Sequence, residues 1–163
     1  MKVIQELKAM DDARFQALYE DLAQNGFGPL DAEVAQLLRF RPQAIRKLPM
    51  PQRARKARQL LISRANAELC YELFGSWLIK ERKGIVTGFL DGTGVTHEEG
   101  MIEDLEHNKP DAGKLADTIK TLDAEFPPED VTLYLSLAAE QWPAVDELDA
   151  LWRARSAAAA TPS

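Results

Sequence analysis

The sequence predicts an all-α protein, a single compact bundle of about seven or eight helices with no sheet. Apolar residues recur three or four positions apart along most of the chain, which is the spacing of a buried helix face rather than of a strand. Prolines and glycines interrupt this spacing repeatedly, so several of the helices must be short. At 163 residues, the chain is long enough to bury a genuine core as one domain.

The N-terminal part of the chain predicts several short helices. Residues 2–24 carry apolar side chains at helical spacing, and Asp11 or Asp12 can cap a second helix if the first one breaks there. An acidic start then predicts a short helix over 31–38. The prolines that follow limit residues 43–47 to about one or two helical turns.

The largest apolar side chains concentrate in the middle of the chain. Over residues 65–80 they recur in adjacent pairs four positions apart, which predicts an amphipathic helix. A shorter set over residues 85–90 predicts a second helix, which ends where Gly92 or Gly94 can adopt a left-handed conformation.

The helical spacing of this central region begins upstream, at Pro51, which suits the first turn of a helix. From there it continues to about Arg82. One long helix over residues 51–82 is one interpretation, and two helices with a break near residues 63–66 is the other.

Three glycines, Gly84, Gly88 and Gly92, lie four residues apart and form one smooth ridge on the second central helix. Each costs about 1 kcal/mol relative to alanine inside a helix, so another contact must offset that loss. Close approach of a neighbouring helix is one explanation, and close approach of a ligand or partner backbone is the other. The charged residues 80–83 split the apolar run well below the roughly 18 residues that a membrane span needs.

The C-terminal third begins with the longest predicted loop, because residues 96–110 have no clear periodicity. Asp111 can cap the next helix, Pro128 can begin another, and Trp142-Pro143 restarts the chain into a last helix. Residues 156–163 have little to bury, so we predict that they are a disordered tail.

We therefore predict one all-α domain over residues 1–155. Within it, residues 65–155 form the core. Residues 1–64 either form a separate N-terminal helical arm or pack as part of the same bundle. No fixed-period repeat or long linker marks a second domain.

Charge is strongly segregated along the chain, whose net charge is −6. Between Val34 and Ala67 there are nine basic residues and no acidic one. Between Asp91 and Ala150 there are sixteen acidic residues and three lysines. Such bipolarity indicates either a charged partner or the packing of one half against the other.

The single cysteine, Cys70, excludes an internal disulfide, and its place among apolar residues predicts a buried, inert thiol. The first residues are broken by charge every few positions and lack the apolar core of a secretion signal. We therefore expect a cytoplasmic protein.

Two histidines, His97 and His107, lie in the predicted loop among five acidic residues. Imidazole and carboxylate groups together could bind zinc, manganese or iron, with Glu103 as the third candidate ligand. An acidic surface loop with two ordinary histidines is the alternative. The sequence has no phosphate-binding loop, dinucleotide fingerprint or nucleophile elbow, so we predict no catalytic residue and no cofactor.

The basic segment supplies a second set of candidates, this time for binding a partner. Arginines on a helix can contact phosphates through their guanidinium forks. The candidate partner-binding residues are Arg53, Arg55, Lys56, Arg58 and Arg64. The alternative is that acidic residues of the same chain neutralise them.

Parts of the sequence resemble a bacterial family of all-α proteins with no assigned function. The segments that carry the resemblance are Trp77-Leu78-Ile79, Phe89-Leu90-Asp91-Gly92-Thr93-Gly94-Val95 with His97-Glu98, and Leu133-Tyr134-Leu135. The resemblance implies a bacterial, cytoplasmic origin and brings no activity, cofactor or site residue.

Three hypotheses for function follow. The first is a small non-enzymatic interaction module that binds another protein or forms a homo-oligomer, because charge is segregated and no catalytic set is recognisable. The second is a metal-dependent enzyme that uses His97, His107 and nearby carboxylates. The third is nucleic-acid binding through the basic segment over residues 39–64, which the acidic second half opposes by repelling a polyanion. We expect no membrane partner.

Overall fold

The structure, a computed structural model, describes residues 2–24, 36, 47–64 and 67–160. Within these residues the chain forms eight α-helices and no strand, so the predicted all-α class is confirmed. The helices are α1 (Lys2–Ala9), α2 (Asp12–Gln24), α3 (Met50–Ser63), α4 (Ala67–Glu81), α5 (Lys83–Thr93), α6 (Leu115–Glu125), α7 (Pro128–Gln141) and α8 (Asp146–Ala160). A single 3-10 turn, Ala112–Lys114, precedes α6.

Some of the sequence predictions lie outside the described residues. Of the helix predicted over 31–38 the structure describes Gln36, which is helical, and of the stretch 43–47 it describes Lys47. The basic residues outside the described part are Arg39, Arg41 and Arg46.

Residue contacts divide the chain into two compact units. The first consists of Met1 and Val3–Trp77, and the second of Lys2 and Leu78–Ser163. The division therefore falls inside α4, whereas the sequence suggested that an N-terminal arm would end at residue 64. That residues 1–155 act as one domain stays a prediction.

In the first unit, the chain breaks between α1 and α2 at the predicted position. The carboxylate of Asp11 accepts the backbone N–H of Arg14 at 2.7 Å, so Asp11 caps the first turn of α2. Helix α2 packs on α3 through side chains that are almost fully buried. They include Phe15, Leu18, Leu22, Ala54, Ala57 and Leu61.

The region from residue 51 to residue 82 forms two helices, as the second interpretation of the sequence proposed. Helix α3 has proline in its first turn and ends at Ser63, with Arg64 as its C-terminal cap. Helix α4 begins three residues after Arg64, at Ala67.

In the second unit, the glycine ridge of α5 faces a neighbouring helix and the residue that follows it. A Cβ atom at Gly92 would lie 2.6 Å from Thr118 Oγ1 of α6, and one at Gly88 would lie 3.0 Å from a methyl group of Leu122. A Cβ atom at Gly84 would lie 2.6 Å from the ring of Phe126. The first explanation for the ridge, close approach of a helix, is therefore confirmed.

Helix α5 ends as predicted. Gly94 adopts a left-handed conformation with φ of 79°, and the following N–H of Val95 donates to the carbonyl of Leu90 at 2.8 Å. Val95 is buried, so the chain leaves the helix towards the core.

The remaining helix starts also match the prediction, but the C-terminal tail does not. Asp111 accepts the backbone N–H of Gly113 at 2.9 Å and caps the turn that leads into α6, and α7 begins at Pro128. Helix α8 continues to Ala160, so the prediction of disorder is wrong for residues 156–160. Residues 161–163 lie outside the described part.

The last three helices share a polar connection at their surface. Arg155 of α8 donates two bonds of 2.8 Å to the carboxylate of Asp123 in α6. Its Nε atom donates to the hydroxyl of Thr132 in α7 at 2.9 Å. Two parallel hydrogen bonds fix the relative orientation of an arginine and a carboxylate better than one bond does. Arg155 therefore links the three helices in a fixed relative position.

None of the helices in the described part is long and apolar enough to cross a membrane.

The glycine ridge gives a first prediction. Replacing Gly92 with alanine would normally stabilise a helix by about 1 kcal/mol. Here the new methyl group collides with Thr118, and overpacking of this kind costs about 1–3 kcal/mol. We therefore expect Gly92→Ala to lower the free energy of unfolding, measured by chemical denaturation.

The double variant Gly92→Ala/Thr118→Ala tests the cause of this loss. It removes the two Thr118 atoms that lie within 2.7 Å of the new Cβ. Its loss of stability should be smaller than the sum of the two single losses. A single Gly92→Ala variant that is more stable than the parent would contradict this packing.

Candidate functional site

The candidate site is the segment between α5 and the turn before α6, which we call the acidic loop and define as residues 95–110. It contains five exposed carboxylates. They belong to Glu98, Glu99, Glu103, Asp104 and Glu106. The structure holds this loop in place through five separate sets of hydrogen bonds.

The first set forms a tight turn at residues 98–101. Glu98 and Met101 exchange two backbone hydrogen bonds, each of 2.9 Å. Between them, Glu99 has φ of 53° and Gly100 has φ of 91°. A two-residue turn with both central residues at positive φ suits glycine best, and a side chain on Gly100 would also meet Ile79 at 3.1 Å.

The second set joins this turn to the end of α5 through His97. The Nδ1 atom of His97 accepts the backbone N–H of Gly100 at 2.9 Å. In the neutral ring the proton then sits on Nε2, which donates to Asp91 Oδ1 of α5 at 2.7 Å. Both ring nitrogens are therefore engaged, and the side chain is only 11% exposed.

The remaining three sets close the other end of the loop. The side-chain amide of Asn108 accepts the N–H of Thr96 at 3.0 Å and donates to the carbonyl of Thr96 at 2.6 Å. The indole N–H of Trp142, just after α7, donates to the backbone carbonyl of Asn108 at 3.2 Å. The N–H of Asp111 donates to the carbonyl of Thr93 at 2.9 Å. The loop therefore has a defined shape although it contains no helix.

Two large apolar side chains are exposed on this loop. Met101 is 70% exposed and Leu105 is 37% exposed, and they are the exposed large hydrophobic residues among those the structure describes. A shallow cavity of about 390 Å³ lies beside Met101. Its lining includes Met101 together with Glu98, Glu103 and Asp104. The loop therefore combines apolar contact area with negative charge.

The carboxylate of Asp104 is stabilised in its charged form. The backbone N–H of His107 donates to it at 3.1 Å, and the His107 ring lies 3.0 Å from the same group. These hydrogen bonds, the backbone one first, hold the pKa of Asp104 below its usual value. Asp104 therefore carries its charge at neutral pH.

The predicted metal ligands are not assembled into a metal site. His97 uses both ring nitrogens within the protein, and His107 pairs locally with Asp104. Glu103 lines the cavity with His97, but His107 is 76% exposed and is not part of that lining. Among the residues described, no group of three or more histidine, cysteine or carboxylate side chains could hold a metal ion.

The predicted partner-binding residues separate into two groups. Arg53 is buried: its Nε atom donates to the hydroxyl of Tyr19 at 2.9 Å, and its guanidinium lies 5.3 Å from the centre of the Tyr19 ring. It is therefore part of the packing between α2 and α3.

Arg58 also acts inside the first unit. It forms an ion pair with Asp12 at 3.0 Å, and its other terminal nitrogen donates to carbonyls at the end of α1. Those carbonyls belong to Leu7, Lys8 and Met10, at 3.2, 3.3 and 2.6 Å. A helix end leaves such carbonyls without intrahelical partners, so Arg58 supplies a C-terminal cap for α1.

The other three candidates remain at the surface of α3. Arg55 and Arg64 are exposed, and Lys56 is half-buried. Within the part of the chain that the structure describes, none of the three forms an ion pair. Helix α3 carries no acidic residue of its own to neutralise them.

Several residues of the loop that fix its shape or expose apolar surface were missed by the sequence analysis. Asn108 was not singled out, because its partner Thr96 lies twelve positions away. Met101 and Leu105 were not singled out either. Their signal was present in the sequence: Met101, Ile102 and Leu105 are apolar residues within a short stretch that also holds three carboxylates.

Comparison with protein-family models, with curated proteins and with solved structures gave no match to this chain. The resemblance to a bacterial all-α family therefore stays a prediction.

Cys70 gives a second prediction. Its side chain is fully buried, and burial raises the pKa of the thiol to about 12. The reactive thiolate is therefore scarce at pH 8, and a reagent cannot reach the sulfur. We expect the native protein to resist a disulfide-exchange reagent and to react once denaturant unfolds it.

Because Cys70 is the single cysteine, the labelled fraction reports this site alone. Stability should also fall above about pH 8.5, because the unfolded thiol ionises there while the folded thiol stays protonated. Complete labelling of the native protein within minutes at pH 8 would show that the thiol is accessible.

Proposed function

We propose that this protein is a small non-enzymatic interaction module, and that its acidic loop binds a basic protein segment that also carries apolar side chains. One observation carries the proposal. The exposed large hydrophobic residues of the described part, Met101 and Leu105, both belong to the loop that holds five exposed carboxylates. Exposed apolar groups rimmed by charge are typical of protein-binding surfaces.

The fixed shape of the loop supports this proposal. A loop that must become ordered on binding loses affinity, whereas one already held in place does not. The bonds of His97 and Asn108 hold the backbone on both sides of Met101 before any partner arrives. The exposed segment can thus bind without first being ordered.

The charge of the loop supports a basic partner. Lys83 of α5 lies 3.6 Å from Glu99 and offsets part of its charge. Glu98, Glu103 and Glu106 form no ion pair within the described residues, so a cationic partner can approach them directly. Such attraction accelerates association and weakens as salt is added.

The other two hypotheses receive less support. A metal-dependent enzyme lacks an assembled set of ligands among the described residues. Of the five candidate residues for nucleic-acid binding, Arg53 and Arg58 are engaged within the first unit, so Arg55, Lys56 and Arg64 remain. A bacterial and cytoplasmic origin is part of the proposal, supported by the resemblance and by the buried thiol of Cys70.

A labelled peptide of lysine and leucine tests the proposed function by fluorescence anisotropy. We expect it to bind at low salt, and a glutamate-leucine peptide of the same length not to bind. The variant Met101→Ser/Leu105→Ser should weaken binding about tenfold, because partial burial of these side chains contributes on the order of 1 kcal/mol. Equal binding of the two peptides would contradict the proposal.

Charge is tested with a matched pair of triple variants. Glu98→Gln/Glu103→Gln/Glu106→Gln neutralises the loop, and Glu72→Gln/Glu125→Gln/Glu147→Gln makes the same change in charge on exposed residues of three helices. We expect the first variant to lose binding and the second to retain it. Equal losses would mean that the peptide responds to net charge and not to this loop.

A further inference from the structure

The exposed cations of α3 form an ordered surface. Lys56, Leu60 and Arg64 are spaced four residues apart, so they lie along one face of the helix. From Lys56 to Arg64 this face spans about 12 Å of helix length. Leu60 is half-buried and lies between the two cations. We call this face, together with Arg55, the basic stripe.

The basic stripe is not neutralised by its own helix. Helix α3 has no acidic residue in its first turn and no side-chain hydrogen bond at its N-terminal cap, Pro49. The positive end of the helix dipole lies about one turn before Arg55 and Lys56, and no carboxylate of α3 offsets it. An approaching carboxylate would therefore meet these cations without competition from acidic residues of α3.

The stripe has the chemistry that the acidic loop is proposed to bind. It presents cations separated by a partly exposed leucine, and the loop presents carboxylates around Met101 and Leu105. Charge and apolar contact are thus complementary between two surfaces of the same chain. In the described residues, neither the cations of the stripe nor Glu98, Glu103 and Glu106 have a partner for an ion pair.

We propose that the partner of the acidic loop is a second copy of this chain, which binds through its basic stripe. The inference rests on the proposed function, because it assigns the partner of the same loop. The two surfaces differ, so the contact is head-to-tail, and each bound copy leaves one loop and one stripe open for a further copy. Assembly therefore grows with concentration unless the geometry closes a ring.

Sedimentation equilibrium of the full chain tests this assembly. Exposed ion pairs are individually weak and screened by salt. We expect the wild-type protein to self-associate at about 10 mM salt, and its apparent dissociation constant to rise at least about tenfold at about 300 mM salt. A strictly monomeric protein at low salt, at the highest concentration reached, would overturn the inference.

Reciprocal charge reversal identifies the surfaces. One variant, Glu98→Lys/Glu103→Lys/Glu106→Lys, makes the loop basic, and it spares Asp104 because that carboxylate holds the backbone of His107. The other, Arg55→Glu/Lys56→Glu/Arg64→Glu, makes the stripe acidic. Each variant alone should be monomeric, because its two surfaces have the same sign. An equimolar mixture should associate again, because the unaltered stripe of the first variant meets the unaltered loop of the second, and the reversed loop and the reversed stripe are also opposite in charge.

Failure of the mixture to associate, with both variants folded by circular dichroism, would overturn the inference. If a charge-reversed variant does not fold, the same three residues are replaced with glutamine instead. The loop variant with three glutamines and the stripe variant with three glutamines should each raise the dissociation constant of self-association at least about tenfold. Unchanged self-association of the glutamine variants would overturn the inference as well.

The lysine-leucine peptide separates the two proposals. If the peptide binds but the chain does not self-associate, the second copy is not the partner of the loop. If neither occurs, the proposed function is refuted too.

Discussion

The backbone of residues 95–110 has no helix to fix its shape, and side-chain hydrogen bonds hold it together with the backbone pair of Glu98 and Met101. His97 accepts from Gly100 and donates to Asp91, and Asn108 pairs with both backbone groups of Thr96. These bonds determine where Met101 and the surrounding carboxylates lie. Every interaction that we propose for this protein depends on that arrangement.

The arginines of α3 show how one residue type serves two purposes on a single helix. Arg53 and Arg58 face α1 and α2, where Tyr19, Asp12 and the end of α1 bind them. One turn away, Arg55 points to the surface, and no acidic residue of α3 balances it. Helical periodicity therefore divides a uniformly basic segment into a structural part and an exposed part, and only the exposed part can meet a partner.

Local signals made much of the fold predictable from the sequence. Asp11, Asp111 and Pro128 begin helices where expected, and Gly94 ends one, because caps, prolines and left-handed glycines act within a few residues. Long-range contacts could not be predicted. The glycine ridge indicated a close approach, but its partner Thr118 lies on another helix, and the same holds for the bonds of Arg58.

Hydrogen exchange of the Gly100 amide, followed by NMR, tests most directly whether the acidic loop has the fixed shape on which the proposals depend. That amide donates to a side chain and not to a helix, so its protection reports the His97 bond itself. We predict exchange at least about tenfold slower than in an unstructured chain, together with protection of the Thr96 amide that Asn108 binds. Exchange of both amides at the rate of an unstructured chain, while the amides of α5 and α7 stay protected, would show that the loop is not held in this shape.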